Sequence, residues 1–486
     1  MLYSSQKARP YKWRGNSHKS DDTPASPPPL LGPLILSLHK EDIKEAAKEL
    51  SADAAIQDCR HVASYNWLDK NGSVATILLP GKNWSSLLHY QILTCFVGQP
   101  PLWTPMPGSV QLRADGGQYF RDKNAARFPK HPLELAVAAC LESSPNLPTE
   151  IEVVACGSTL GNLLRFVRGQ DKPFRMLVEK VGSTVFFIRR ENTPTELIPN
   201  VHGYGHSFPE AFTTWEPAVR GSASHQRVIR YTFGGLTFLV RSEADGYIKD
   251  GATDSKPLSL KGTNVGGLNP TLEKPSPPAS VDELAKLLSI STFTGSQKST
   301  TQASRLRIDV GGNLINQSQL FDLKTRSIVT AGRDYLAEEL PRLWVSQIPN
   351  FILAFHTRGM FRASDIQVRN VREDVRQWEV EHNDELGQLG ALVRRIVNFS
   401  LSTKARNGKL ELCHDAVGRL DVREQLPDAG DVLSEGLRTR WEAASDRVLD
   451  ERDEAGASLF EWDDTGEKDF TACSEFCSYC GGCNTY

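Results

Sequence analysis

The sequence has no apolar run near the roughly 20 residues that cross a bilayer, and its N-terminal segment lacks the compact apolar stretch of a secretory signal. It therefore reads as an intracellular protein of nucleus or cytoplasm, with no membrane contact. It also lacks an excess of either charge, since Lys+Arg 56 stand against Asp+Glu 59 in 486 residues. Attraction of a polyanion by the whole molecule is thereby excluded, and any nucleic acid must be met by a local basic patch. Standard zinc spacing of histidines is absent as well: His202, His206 and His225 read as loop histidines. Paired DDxxD helices, the Mg²⁺ device of prenyl diphosphate synthases, are missing. The nearest match is DDTGE from Asp463 in a polar tail, and the strand-rich middle contradicts an all-helical bundle.

What is present is an ordinary globular composition, 39% hydrophobic and 24% charged, enough for one large domain with insertions or two modest ones. Residues 1–35 carry Lys7, Arg9, Lys12, Arg14 and Lys19 and then DDTPASPPP, which predicts a disordered basic and Pro-rich arm. Residues 36–150 predict an accessory layer packed on the core, opening on the amphipathic helix LHKEDIKEAAKELSADAA and rich in loops such as RADGGQYFRDKNAARFPKHP. Residues 151–402 predict the core. IEVVAC reads as a short strand leading into the helix GSTLGNLLRFV, FRMLVEKVG and STVFFIRREN as a hairpin, and residues 250–303 as a mobile Ser/Thr/Pro/Gly-rich insertion. After SQLFDLKTRS come the helix YLAEELPRLWVSQ, the strand NFILAFHT and an amphipathic helix with Leu386, Leu389, Leu392, Val393 and Ile396 on one face. Residues 403–486 form a C-terminal extension.

The chemistry concentrates at two places. LTFLVRSEADG ends an apolar strand in Glu-x-Asp, and LFDLKTRS carries Asp-x-Lys. Side chains alternate along a strand, so Glu243 and Asp245 share one direction, and so do Asp322 and Lys324. Three carboxylates and an ammonium brought to one point suit Mg²⁺ or Mn²⁺, which prefer oxygen ligands and keep waters for a substrate phosphate. The metal would activate the attacking water, and Lys324 would orient it.

From about residue 150 to 402 the order of elements resembles the DXO-type decapping nucleases, a family of the PD-(D/E)XK superfamily that removes defective 5′ caps from RNA. GSTLGNLLRF, PFRMLVEKVGSTVFFIRREN and GYGHSFPEAF are similar to its Gly-led helix, hairpin and Gly-Tyr-x-Phe-Glu element. SEADG, LFDLKTRS and LPRLWVSQIPNFILAFHTRGMF resemble its Glu-x-Asp, its Glu-x-Lys-Thr and the glutamine-bearing helix with the strand after it. The resemblance implies an α+β fold, a PD-(D/E)XK-like mixed β-sheet core flanked by helices; the loop-rich N-terminal layer and the Cys-rich C-terminal tail, read from composition, fall outside it. It implies a metal set of Glu210, Glu243, Asp245, Asp322 and Leu323, and catalytic roles for Lys324, Asp322, Glu243 and Gln347. Glu216 stands six residues after Glu210 as the alternative carboxylate. The implied partner is the 5′ end of RNA, alongside an unspecified protein partner. The chain departs from the family pattern in several ways: Asp322 replaces the usual glutamate, and the arginine near the Gly-led helix is absent or replaced by Cys156. A long insertion separates the two motifs, and the glutamine stands one residue further from the tryptophan.

Cys59, Cys95, Cys140, Cys156 and Cys413 are scattered and read as reduced, packed thiols. Cys473, Cys477, Cys480 and Cys483 follow C-x₃-C-x₂-C-x₂-C and predict a Zn²⁺ site, an Fe–S cluster or an oxidisable tail. Two functions follow: a metal-dependent hydrolase of RNA 5′ ends acting as a decapping enzyme, pyrophosphohydrolase or exonuclease, and a catalytically inactive nuclease-fold protein that binds nucleic acid or protein.

Overall fold

A computed structural model describes residues 26–50, 54–68, 75–79, 98–170, 172–199, 201–249, 306–403 and 408–445. The N-terminal part contributes β1 (Leu34–His39), α1 (Lys44–Glu49), β2 (Gln57–Leu68), β3 (Ala75–Leu79), β4 (Leu102–Trp103), β5 (Ser109–Gln111), α2 (Lys123–Arg127) and α3 (Glu134–Ser143). The middle runs through β6 (Val153–Cys156), α4 (Gly157–Val167), β7 (Phe174–Val181), β8 (Thr184–Arg190), α5 (Ser207–Phe212) and β9 (Thr213–Thr214). It continues through β10 (Ser222–Phe233), β11 (Leu236–Ala244), β12 (Gly246–Tyr247) and β13 (Leu306–Val310). The last part holds β14 (Leu320–Ser327), α6 (Tyr335–Ser346), β15 (Asn350–Thr357), β16 (Met360–Asn370), α7 (Arg372–Glu381), α8 (Asn383–Ser402), β17 (Leu410–Ala416) and β18 (Arg419–Glu424).

The strands form two mixed sheets flanked by helices, the α+β class expected from the sequence. The larger has the order β1-β18-β17-β7-β8-β6-β11-β10-β2-β3-β13 and the smaller β5-β16-β15-β14-β12-β4-β9. The chain passes from one to the other at Asp245, because β11 belongs to the large sheet and β12, beginning one residue later, to the small one. Gly246 then sits opposite Phe321 and Tyr247 opposite Leu320, which sets β14 beside the crossing.

The main core lies between the large sheet and α4, α6 and α8. Leu386, Leu389, Leu392, Val393 and Ile396 of α8 are all buried in it, so the apolar face read from the sequence is the packed one. Leu163 and Leu164 of α4 and Trp344 of α6 join the same cluster. The opposite side of the large sheet is covered by α3, whose Leu135, Val137 and Leu141 pack with Tyr65, Trp67 and Trp441.

Several boundaries differ from the sequence expectation. The arm expected over residues 1–35 is described from residue 26, where Arg175 donates to the carbonyls of Pro29 and Leu30 and Asn192 to that of Ser26. The single helix expected at LHKEDIKEAAKELSADAA is a strand end, a 3-10 turn over Lys40–Ile43 and the six-residue α1. The layer expected at 36–150 supplies β2, which pairs along much of β10 inside the large sheet. The extension expected from residue 403 supplies β17 and β18, which join β7 to β1. Alternating hydrophobicity marks such strands only locally, whereas the pairings that seat them in the sheet, β2 with β10, β17 with β7 and β18 with β1, join distant parts of the chain. The expected insertion at 250–303, Cys95 and the C-terminal cysteine cluster lie outside the described residues. Cys140, Cys156 and Cys413 are buried and unpaired by disulfides, and Cys59 is exposed. Among the described residues no helix is long and apolar enough to cross a membrane.

The crossing has no spare volume at Gly246. A Cβ there would lie 2.5 Å from the buried Phe321 ring and 2.7 Å from the Pro101 carbonyl oxygen. Gly246→Ala is expected to lower unfolding stability by about 1–3 kcal/mol in urea titrations, with the m-value unchanged. An unchanged midpoint would show that the two sheets separate freely at this point.

Candidate active site at the sheet crossing

Asp245 accepts a hydrogen bond from the Leu323 amide at 2.7 Å, so the residue at the crossing is tied to the middle of β14. The two strand motifs are thus joined by one contact. On β14, Phe321 and Leu323 pack with Phe208 and Phe212 of α5, whereas Leu320 packs with Tyr335 and Leu343 of α6. Strand alternation therefore points Asp322 and Lys324 at α6. Parallel pairing with β15 agrees, since Asp322 lies beside Phe351, which packs with α6.

Helix α6 begins at Asp334, whose side chain accepts from the Ala337 amide. Its buried positions include Tyr335, Glu339, Leu343 and Ser346, the three- and four-residue spacing of one helical face. Arg342 lies one turn after Glu339. The guanidinium of Arg342 binds Asp322 Oδ1 at 2.6 Å through Nη2 and Glu339 Oε2 at 3.0 Å through Nε. Lys324 Nζ binds the other oxygen of Glu339 at 2.6 Å. Asp322 and Glu339 are buried, while Arg342 is half-exposed.

Glu243 meets a separate cation. Asp122 caps α2 by accepting from the amides of Asn124 and Ala125, and Asn124 Oδ1 accepts from Tyr65 Oη and Trp67 Nε1. The short helix is fixed by these bonds, and its Lys123 Nζ lies 2.6 Å from Glu243 Oε1. Both partners are more than a third exposed, so this pair contributes under about 1 kcal/mol. The Arg342–Asp322 pair weighs more. Stripping a buried carboxylate of its partner costs on the order of 3–5 kcal/mol.

Burial, with Asp322 and Glu243 nearby, holds the Asp245 carboxyl well above the usual carboxylate range despite the opposing pull of Arg342. Burial alone would raise Glu339, but Arg342 and Lys324 bring it below its ordinary value. Arg342 is raised because Asp322, Glu339 and Asp245 outweigh burial, and Lys123 is raised because Glu243 does the same.

The structure brings together Glu243, Asp245, Asp322 and Lys324 of the expected set, with Leu323 supplying the amide that binds Asp245. Glu210 is not part of the group. It is exposed on α5, on the Phe321 and Leu323 side of the small sheet, beside Tyr119. Its alternative Glu216 accepts from Gln99 and pairs with Lys249 at 3.3 Å, which burial notwithstanding keeps its pKa low. Gln347 stands past the end of α6 in the left-handed region at φ 51°, and its side chain donates to the Trp344 carbonyl. The helix residue over Asp322 is Arg342, five positions earlier. His206 binds Asp115 and His225 binds Asn66, away from this cluster.

Lys123, Glu339 and Arg342 escaped the sequence reading. Glu339 and Arg342 were findable from the period of α6, which places them over β14. Lys123 lies in a phrase with no periodicity.

Carboxylate oxygens are the donors that hard divalent cations select, and the raised Asp245 marks charge that Arg342 leaves under-compensated. In donor chemistry Glu243, Asp245 and Asp322 fit Mg²⁺ or Mn²⁺. Among the described residues no three His, Cys, Asp or Glu side chains stand as a ready-made metal shell, and Lys123 and Arg342 pair with two of the three carboxylates.

Two mixed sheets joined at an acidic crossing, with an Asp-x-Lys strand under a helix, define an α+β protein with a charged cluster where the sheets meet. The chain belongs to the family described as "Domain of unknown function (DUF8563)", which matches residues 40–410. No curated protein matches it. Among solved structures it is similar to Rai1 of Scheffersomyces stipitis in complex with (3′-NADP)⁺ and calcium ion, at 10% identity and TM-score 0.46, covering 80% of this chain and 96% of that one. It is also similar to Candida albicans Rai1 in complex with pU5-Mn²⁺, at 10% identity and TM-score 0.45, covering 86% and 99%. Dxo1 of K. lactis in complex with manganese matches at 8% identity and TM-score 0.41, covering 80% and 98%.

The raised Asp245 gives a test in metal-free buffer. Its folded pKa lies above the unfolded value, so stability is full below the ordinary carboxylate pKa of about 4 and declines as pH rises through the folded value. Asp245→Asn keeps an acceptor for the Leu323 amide and cannot ionise. With EDTA present its Tm should exceed that of wild type near pH 8, and the gap should narrow towards pH 4. A gap of constant size would mean that Asp245 does not ionise unfavourably.

Proposed function

We propose that this protein hydrolyses phosphodiester or pyrophosphate linkages at the 5′ ends of RNA with the help of Mg²⁺ or Mn²⁺. One observation carries the reading: Glu243 and Asp245 at the crossing come together with Asp322 and Lys324 on the next strand. A scaffold gains nothing in stability from gathering buried carboxylates, so such a group favours chemistry over architecture. The resemblance of SEADG, LFDLKTRS and GSTLGNLLRF to decapping nucleases supplies the substrate class.

Glu243, Asp245 and Asp322 would hold the ion, which lowers the pKa of bound water and stabilises charge on phosphate oxygens. Lys324 is held by Glu339 and partly open to solvent, so its ammonium can direct a water or a phosphate oxygen while Glu339 fixes its position. Arg342, also half-exposed, adds a fork of donors suited to a phosphate.

A second reading, a nuclease-fold protein that binds without cleaving, is favoured by the ion pairs that Lys123 and Arg342 already make with the carboxylates. Release of cap or nucleotides from capped and 5′-triphosphate RNA, measured with Mn²⁺ and with EDTA, separates the two. Wild type should act only with Mn²⁺, and Asp322→Ala and Lys324→Ala should each lose at least about 100-fold. Equal, measurable rates in all three would remove Asp322 and Lys324 from the catalytic assignment, and no activity in wild type would select the binding reading.

A further inference from the structure

We infer that Arg342 is a resident counter-ion, a side chain that fills the cation's place beside Asp322 and sets how tightly this site takes a divalent ion. The inference rests on the metal reading above.

Asp322 is 3% exposed, and its recorded cationic partner is the Arg342 guanidinium at 2.6 Å. A carboxylate buried to that degree stays ionised only while a positive partner faces it. Arg342 meets that need while 49% of its own side chain faces solvent, so it can rotate into water without stranding its charge. Departure therefore costs the carboxylate and not the arginine, and a divalent ion arriving at Asp322 removes that cost. Glu339 steadies the exchange because it keeps Lys324 on one oxygen while the other loses or regains Arg342. Lys123 cannot govern the exchange to the same degree, since Glu243 is itself 39% exposed and water replaces much of the pair.

Arginine and metal therefore compete for one carboxylate, and affinity for the ion is reduced by the free energy of the ion pair that must break. The test is Mn²⁺ binding to the full chain, read by titration calorimetry and by loss of the free-ion electron paramagnetic resonance signal. Arg342→Gln, which removes the charge and keeps an amide, should bind Mn²⁺ at least about tenfold more tightly than wild type, and Lys123→Gln should gain about twofold or less. Its Tm in EDTA should fall below that of wild type and recover on adding Mn²⁺. Should Arg342→Gln fail to fold, Arg342→Lys keeps the charge but loses the two-pronged contact, and a gain of about threefold is expected. Wild-type binding with no gain in either variant overturns the counter-ion assignment alone. Absence of Mn²⁺ binding by wild type and both Arg342 variants removes the metal reading with it.

Discussion

The hydrogen bond from the Leu323 amide to Asp245 is the contact on which the site depends. A chain that leaves one sheet and enters another must turn a residue out of both ladders, and that residue's own polar groups need new partners. Here the residue is an aspartate, and its partner is the backbone of the strand that carries Asp322 and Lys324. Gly246 follows at once because a side chain there would strike Phe321 and Pro101. The same steric closeness that forbids a Cβ forces two motifs some 75 residues apart in sequence, Glu243 to Asp245 and Asp322 to Lys324, into one neighbourhood.

The charges then follow from the geometry. Four acidic groups, Asp245, Asp322 and Glu339 with the more exposed Glu243, gather at the crossing, and three basic ones, Lys123, Lys324 and Arg342, answer them. The exposed pair at Glu243 is marginal in energy, whereas the buried pair at Asp322 is large because its absence would strand a charge. Asp245 lacks a salt-bridge partner of its own among the described residues and is displaced furthest from ordinary carboxylate behaviour. The imbalance is concentrated at the crossing, the point nearest to both motifs.

Much of the middle of the chain was legible in the sequence. FRMLVEKVG and STVFFIRREN pair as an antiparallel hairpin, GSTLGNLLRFV is a helix, and the five apolar residues of α8 share one buried face. These features are local, and local periodicity reports them. The flanking regions were less legible because β2, β17 and β18 take their places in the large sheet beside β10, β7 and β1, which lie far along the chain. The Glu-x-Asp and Asp-x-Lys strands were readable for the same reason of local pattern, while Glu210, which the resemblance names, stands on α5 against the Phe321 and Leu323 face of β14. Arg342 follows Glu339 by one turn on the helix face that covers β14, but the resemblance names a glutamine on this helix and no arginine.

The pairing of β1 with β18 carries a consequence for how the molecule is made. Ser37 Oγ donates to Asp421 Oδ1 at 2.7 Å across 384 residues of sequence, and β17 completes the ladder beside β7. A ribosome adding about 5–20 residues per second leaves β7 without its neighbour for tens of seconds and β1 waiting longer still. Throughout that interval the growing chain presents an open row of amides and carbonyls, the kind of edge that recruits another strand. That edge closes only when β17 and β18 are made, and truncation before residue 410 would leave it open for good.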